Sequence, residues 1–333
     1  MLITRFFCIF DHVIYEMRML ITLLLCLLAI VASAKSKYPI HEDFAKLSAM
    51  SAPLGRCLLG VGNGLLTIMP KGMCSNKQMS IKRVEIPTSH GEKSVKAWVV
   101  TPRAHNNKAI LMLHGGGFVF KGAPYHYKLA KEYAQRTNSV VVMIDYSTAH
   151  NNAYGTTLRE CCAAWQWLVE SSMALGVDSS KISIVGDSAG GFLAVKTALW
   201  AMSEGVQQPE KVMLVYPVID NSMRTESMAQ FTDTPIWNAK LNAKMWSYYL
   251  QGESEESLLD IDAEVLRQMP MIYVETAEFD CLRDEGEIFA QRLREVGVST
   301  TYIATKGTMH GFDIVQKSDI TKAQVEARCC WLK

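Results

Sequence analysis

From about residue 80 onward, short runs rich in Val, Ile and Leu alternate with longer segments in which apolar residues return at three- and four-residue spacing. The short runs predict strands at 81–86, 95–101, 109–113, 140–145, 182–185, 212–216, 271–275 and 300–304. Leu158, Cys161, Cys162, Trp165, Leu168 and Val169 fall on one face of a helix, and similar patterns predict helices at 189–202, 284–296 and 320–331. The adjacent Cys161 and Cys162 then read as core packing. Strands alternating with helices are the signature of βα units that feed a mostly parallel sheet, so the expected fold class is α/β: one eight-stranded sheet covered by helices.

Two stretches break the alternation, 35–80 and 221–263, the second carrying Phe231, Trp237, Trp246, Tyr248 and Tyr249. Aromatic insertions that follow strands are expected to form cap elements above a site, with a hydrophobic subcore as the plainer reading. The glycine-rich run Gly60 to Gly64 follows no strand and lacks the spacing of a dinucleotide loop, so it is set aside as a nucleotide site. No repeat, low-complexity tract or linker divides 35–333 into further domains.

Residues 19–31 read MLITLLLCLLAIV, preceded by Arg18 and followed by Ala32, Ser33 and Ala34. This pattern predicts a signal peptide over 1–34 and a protein that is secreted or lumenal in the secretory pathway. An uncleaved N-terminal anchor is the alternative, and a membrane is a partner only in that case. Asp11 and Glu16 are foreign to a short basic leader, which makes Met17 or Met19 a candidate start.

Composition narrows the function classes. Lys and Arg total 34 against 33 Asp and Glu, a net charge of +1 that offers no footprint for nucleic acid. Apolar residues at 49% and charged residues at 20% describe a chain with a packed core. Seven cysteines follow residue 34; Cys57 and Cys74 either pair with each other or stay as buried free thiols. No Cys/His grouping has zinc spacing, and no Asn-x-Ser/Thr sequon occurs.

The chemistry is concentrated in four places. Gly186-Asp187-Ser188-Ala189-Gly190 follows the strand at 182–185 and opens a helix, the strand–turn–helix context that holds a serine out on a sharp turn. Gly186 and Gly190 permit the close approach there, and Gly191 lets the helix pack on the sheet. A serine hydroxyl needs a base oriented by an acid. His310 follows the last strand and is the candidate base, whereas His126 and His150 precede the serine and are out of order. Among Glu278, Asp280, Asp284 and Glu285, Asp280 is the candidate acid, and Asp284 suits the cap or first turn of the following helix. Met309 and Cys281, beside these residues, are expected to pack or to wall a pocket. Finally, His114-Gly115-Gly116-Gly117-Phe118 follows the strand at 109–113, where glycine N–H groups, with that of Ala189, can surround a developing oxyanion.

These motifs, with Asp145-Tyr146, Tyr216-Pro217 followed by Asp220, the run Asp280 to Glu285, and His310-Gly311-Phe312, resemble the hormone-sensitive-lipase-like branch of the α/β-hydrolases, marked by HGGG and GDSAG and including arylacetamide deacetylases. The resemblance runs from about residue 80 to the C-terminus. It implies an α/β-hydrolase domain over 35–333 with cap elements at 35–80 and 221–263, and oxyanion donors at Gly116, Gly117 and Ala189. It also implies short- to medium-chain carboxylic esters as small-molecule substrates, and chemistry without a metal or organic cofactor. One departure concerns the loops beside the site: the family continues R-L-A-P-E after Asp145-Tyr146, and this chain has Ser147-Thr148-Ala149-His150-Asn151. Amide cleavage by a deacetylase or formamidase, and a silent ligand-binding receptor on the same fold, remain alternative readings.

Overall fold

The structure, a computed structural model, describes residues 37–88 and 94–333. The expected signal segment, 1–34, lies outside the described residues. Eight strands form one sheet: β1 Met79–Ile86, β2 Val95–Pro102, β3 Ala109–Leu113, β4 Val140–Asp145, β5 Ile182–Asp187, β6 Lys211–Val215, β7 Met271–Phe279 and β8 Thr300–Met309. Their order is β1-β2-β4-β3-β5-β6-β7-β8. The first two join antiparallel, and β2 meets β4 antiparallel; every pairing from β4 to β8 is parallel.

The helices are α1 Arg56–Ile68, α2 Pro124–Thr137, α3 Thr156–Glu170, α4 Ala189–Ser203, α5 Glu226–Gln230, α6 Ala239–Leu250, α7 Ala263–Leu266, α8 Arg283–Glu295 and α9 Asp319–Leu332. The central strands are apolar at successive positions because both faces are covered. In β4, Val140, Val142 and Ile144 join one core and Val141 and Met143 the other. The first core takes Cys161, Trp165 and Leu168 of α3, Phe192 of α4 and Phe289 of α8. The second takes Tyr127 and Tyr133 of α2 with Val325 and Cys329 of α9.

Several details differ from the sequence reading, among them β5, β7 and β8, which run on to Asp187, Phe279 and Met309. Helix α2 carries no predicted element; its apolar positions are thinned by Lys, Gln, Glu and Arg and its buried face leans on His126, Tyr127 and Tyr133. β6 ends at Val215, one residue short of expectation, because Tyr216 adopts a left-handed φ of 36°. Cys57 is in α1, as is the run Gly60 to Gly64, and Cys57 and Cys74 are exposed free thiols, neither paired nor buried.

Candidate active site

In a parallel sheet, loops at the C-terminal ends of the strands share one side, and the chain places its chemistry there. Ser188 follows β5 at φ 53° and ψ −122° and stands immediately before α4. This left-handed position is held by its surroundings: a β-carbon on Gly186 would come 2.1 Å from the Gly190 carbonyl oxygen, and one on Gly190 would come 2.0 Å from that of Leu113. The turn therefore has no room for a side chain on either flank.

The Oγ of Ser188 is 2.8 Å from Nε2 of His310, and Nδ1 of His310 is 2.7 Å from Oδ2 of Asp280. The carboxylate can only accept from Nδ1–H, which leaves Nε2 to accept from the serine hydroxyl. Asp280 is fully buried, and its other oxygen accepts from the Leu282 N–H at 3.0 Å. The neighbouring acids are engaged elsewhere. Glu278 accepts from the Gly307 N–H at 2.7 Å, and Asp284, in the first turn of α8, accepts from the Ser227 N–H at 2.7 Å. Glu285 accepts from the Ile219 N–H at 2.7 Å. Cys281 and Met309 are buried and do not line the cavity.

Gly116 and Gly117 have φ of 120° and 57° and border, with Ser188 and His310, a cavity of about 180 Å³. Ala189 opens α4, so its N–H has no carbonyl partner within the helix. Tyr125, Tyr216, Ile236 and Trp237 complete much of the wall, with Ala52 and Leu66 from the N-terminal stretch. A larger groove, about 660 Å³, lies between α2 and α9 and is lined by Lys128, Arg136, Lys317 and Lys322, with none of these groups. Among the described residues no group of three or more His, Cys, Asp or Glu is placed to hold a metal ion.

Behind the serine, Asp187 joins the motifs. Its carboxylate accepts from the Gly115 N–H at 3.0 Å and from Nε2–H of His126 at 3.1 Å, while Nδ1 of His126 accepts from the Ala123 N–H at 2.9 Å. Burial opposes ionisation of Asp187, but the His126 imidazole and the Gly115 N–H outweigh it and hold the carboxyl below its ordinary value. His114 donates through Nδ1 to the Gly115 carbonyl at 2.7 Å and stacks on Tyr146 at 4.1 Å. Burial, with His126 nearby, lowers its pKa to about 4, so it is a neutral scaffold group. The unusual segment after Tyr146 is well tied: the Ser147 hydroxyl donates to Glu160 at 2.7 Å, and the Ala149 N–H donates to the Phe118 carbonyl at 2.8 Å. It therefore buttresses the glycine loop despite its departure from the family pattern.

Sequence reasoning missed several neighbours of the site. Tyr216 faces His310 edge-on at 5.0 Å and donates to Asp313 at 2.9 Å, and Asp313 also accepts from the buried Arg328 at 2.7 Å. Trp237, by contrast, is one of the aromatic residues expected above the site, and lies 6.0 Å from His310 between ring centres. The Tyr216-Pro217 dipeptide was a signal for the first; the partners, distant in sequence, carry none.

Comparison with known proteins places this geometry. Residues 110–314 match the family described as alpha/beta hydrolase fold. Ethyl acetate hydrolase of Pseudomonas putida is 29% identical over 222 residues, 63% of this chain and 69% of its own. Esterase LipI of Mycobacterium tuberculosis is 29% identical over 223 residues, 66% and 69% of the two chains. A crystal structure of a thermostable esterase from Pseudomonas putida ECU1011 superposes with a TM-score of 0.79 at 28% identity, covering 88% of this chain and 97% of that one. The chain belongs to the alpha/beta hydrolase fold family. Within it, the relatives named here are esterases or ester hydrolases.

Proposed function

We propose that this chain is a serine carboxylesterase acting on small carboxylic esters with short to medium acyl chains. The observation that carries the reading is the continuous hydrogen-bond line from Ser188 through His310 to Asp280, opening onto a cavity bordered by Gly116 and Gly117. In the first half-reaction Nε2 of His310 takes the Ser188 proton as Oγ attacks the ester carbonyl. The oxyanion is met by the N–H groups of Gly116, Gly117 and Ala189. His310 then protonates the leaving alcohol, and the acyl group stays on Ser188. Water, deprotonated by His310, attacks the acyl-enzyme; the serine recovers its proton and the acid leaves. Asp280 remains ionised and stabilises the imidazolium. The cavity, at about 180 Å³, is below the usual size of drug-sized pockets and supports short acyl groups over long ones. The 19–31 run supports a secreted or lumenal location.

The test is a series of p-nitrophenyl esters from acetate to decanoate, run with matched anilides. We expect kcat/KM to peak among the short esters and to exceed that for the anilides. Ser188→Ala or His310→Ala lowers kcat by several orders of magnitude in a protein that still folds. Asp280→Asn lowers it by about 10⁴-fold, the loss seen when a triad imidazole is left in the wrong tautomer. A silent Asp280→Asn beside a crippled Asp284→Asn overturns the assignment of the acid, and bound lipophilic ligand without turnover overturns the esterase.

A further inference from the structure

Helix α1 is supported differently from the other long helices of the described residues: of its 13 residues only Leu59 is buried. Gly60, Gly62 and Gly64 fall in its interior and weaken its intrinsic helicity. A β-carbon at Gly60 or Gly64 would meet nothing within 4 Å, so packing does not require glycine at either position. What holds the helix is largely Leu59 and Asn63, whose amide donates to the Val119 carbonyl and accepts from the Lys121 N–H, both at 2.8 Å. These contacts attach it to the segment directly after the glycine loop, and Leu66 reaches the cavity wall.

The outward side is apolar. Leu58, Val61, Leu65, Ile68 and Met69 are 55%, 61%, 47%, 78% and 43% exposed, and their spacing puts them in one stripe. At 1.5 Å per residue the helix is about 20 Å long, too short to span a bilayer but suited to lying along one. From residue 44 to residue 84 the chain holds Lys46, Arg56, Lys71, Lys77, Lys82 and Arg83 and no acidic residue, although the whole molecule is balanced at +1. Of these cations, Arg56 opens α1 and Lys71 stands three residues beyond its end, so positive charge flanks the helix along the chain, as suits anionic headgroups.

We propose that the Leu58, Val61, Leu65, Ile68 and Met69 face of α1 docks on an anionic lipid surface and presents the cavity mouth to lipophilic esters dissolved there. The docking stands on the helix alone; the delivery of esters rests on the esterase reading above. Hydrogen exchange of the full chain, with vesicles of phosphatidylcholine containing a minor fraction of phosphatidylglycerol, reads the docking locally, apart from any insertion by 19–31. Amides of 56–69 should exchange about tenfold or more slowly with these vesicles, as expected when an opening-prone helix is stabilised by binding. Leu58→Gln, Leu65→Gln and Ile68→Gln together should abolish that protection and any stimulation of p-nitrophenyl decanoate hydrolysis by the vesicles, leaving p-nitrophenyl acetate hydrolysis in buffer unchanged. Unaltered exchange overturns the proposal, and equal protection by phosphatidylcholine alone overturns its anionic half. Protection without vesicles also overturns it, pointing to a second copy if it grows with protein concentration and to the chain's own N-terminal segment if it does not. If neither ester is turned over by the unmodified protein, the esterase reading fails while exchange still decides the docking.

Discussion

His126 shows how a residue outside the reacting line still bears on it. It does not reach Ser188; it fixes Asp187, which in turn holds the Gly115 N–H, so the serine turn and the glycine loop are braced through one carboxylate. Replacing His126 with Ala leaves a buried carboxylate short of a partner. We expect kcat to fall about tenfold with little change in KM, the mark of donors displaced from the transition state rather than from the substrate. Steady-state kinetics on a soluble ester checks the split. Glu285 gives a pH signature. Burial pushes its carboxyl well above the ordinary 4.5, against the N–H groups of Ile219 and Asp220. Because the folded pKa exceeds the unfolded one, its contribution to stability is full below about pH 4.5 and is lost as pH rises toward the raised value. Glu285→Gln keeps an oxygen for the Ile219 N–H and removes the titration. Urea melts across pH should show the unmodified protein losing stability relative to the variant above pH 4.5, by at most about 1.4 kcal/mol per pH unit.

Among the elements, α9 is tied to the site through charge. Arg328 is fully buried and donates to both oxygens of Glu275 in β7, at 2.7 and 2.8 Å, and to Asp313 at 2.7 Å, three residues beyond His310. The Tyr216 and Tyr273 hydroxyls donate to the same two carboxylates. Arg328→Met strands both acids, and breaking a buried pair from one side costs about 3–5 kcal/mol. The urea midpoint at neutral pH should fall accordingly, with kcat falling as well because the His310 loop loses its brace. A stability loss within experimental error would show that the cluster is not a keystone of this end of the sheet. The short helix α5 behaves similarly on a smaller scale: Asp284 accepts from the Ser227 N–H, and Ser227 donates to the Cys281 carbonyl, joining the 221–263 stretch to the loop that carries Asp280.

For the whole molecule, all eight strands were legible because the runs are short, apolar and well separated, and β3 and β4 coincide with their observed bounds. That Ser188, Asp280 and His310 come together was legible because each occupies a loop whose place follows from strand order. α2 was not, since aromatic and histidine side chains supply its buried face, and α1 was not, since three interior glycines weaken its helical pattern. Arg328 with Glu275, separated by 53 residues, and Tyr216 with Asp313, separated by 97, depend on contacts that no local pattern announces.

The parallel strands from β3 to β8 also give the molecule a front and a rear. The N-terminal ends of β3, β5 and β6, at Ala109, Ile182 and Lys211, point away from Ser188, and the exposed Ser180 lies just before β5 at that rear edge. With the exposed Cys57, Cys74 and Cys330 replaced by serine, a chemical handle introduced by Ser180→Cys would fasten the protein to a solid support with its opening turned outward. Initial rates on a soluble ester should then match those of the free protein, whereas random fastening through lysines, Lys121 at the cavity among them, would silence a share of the molecules.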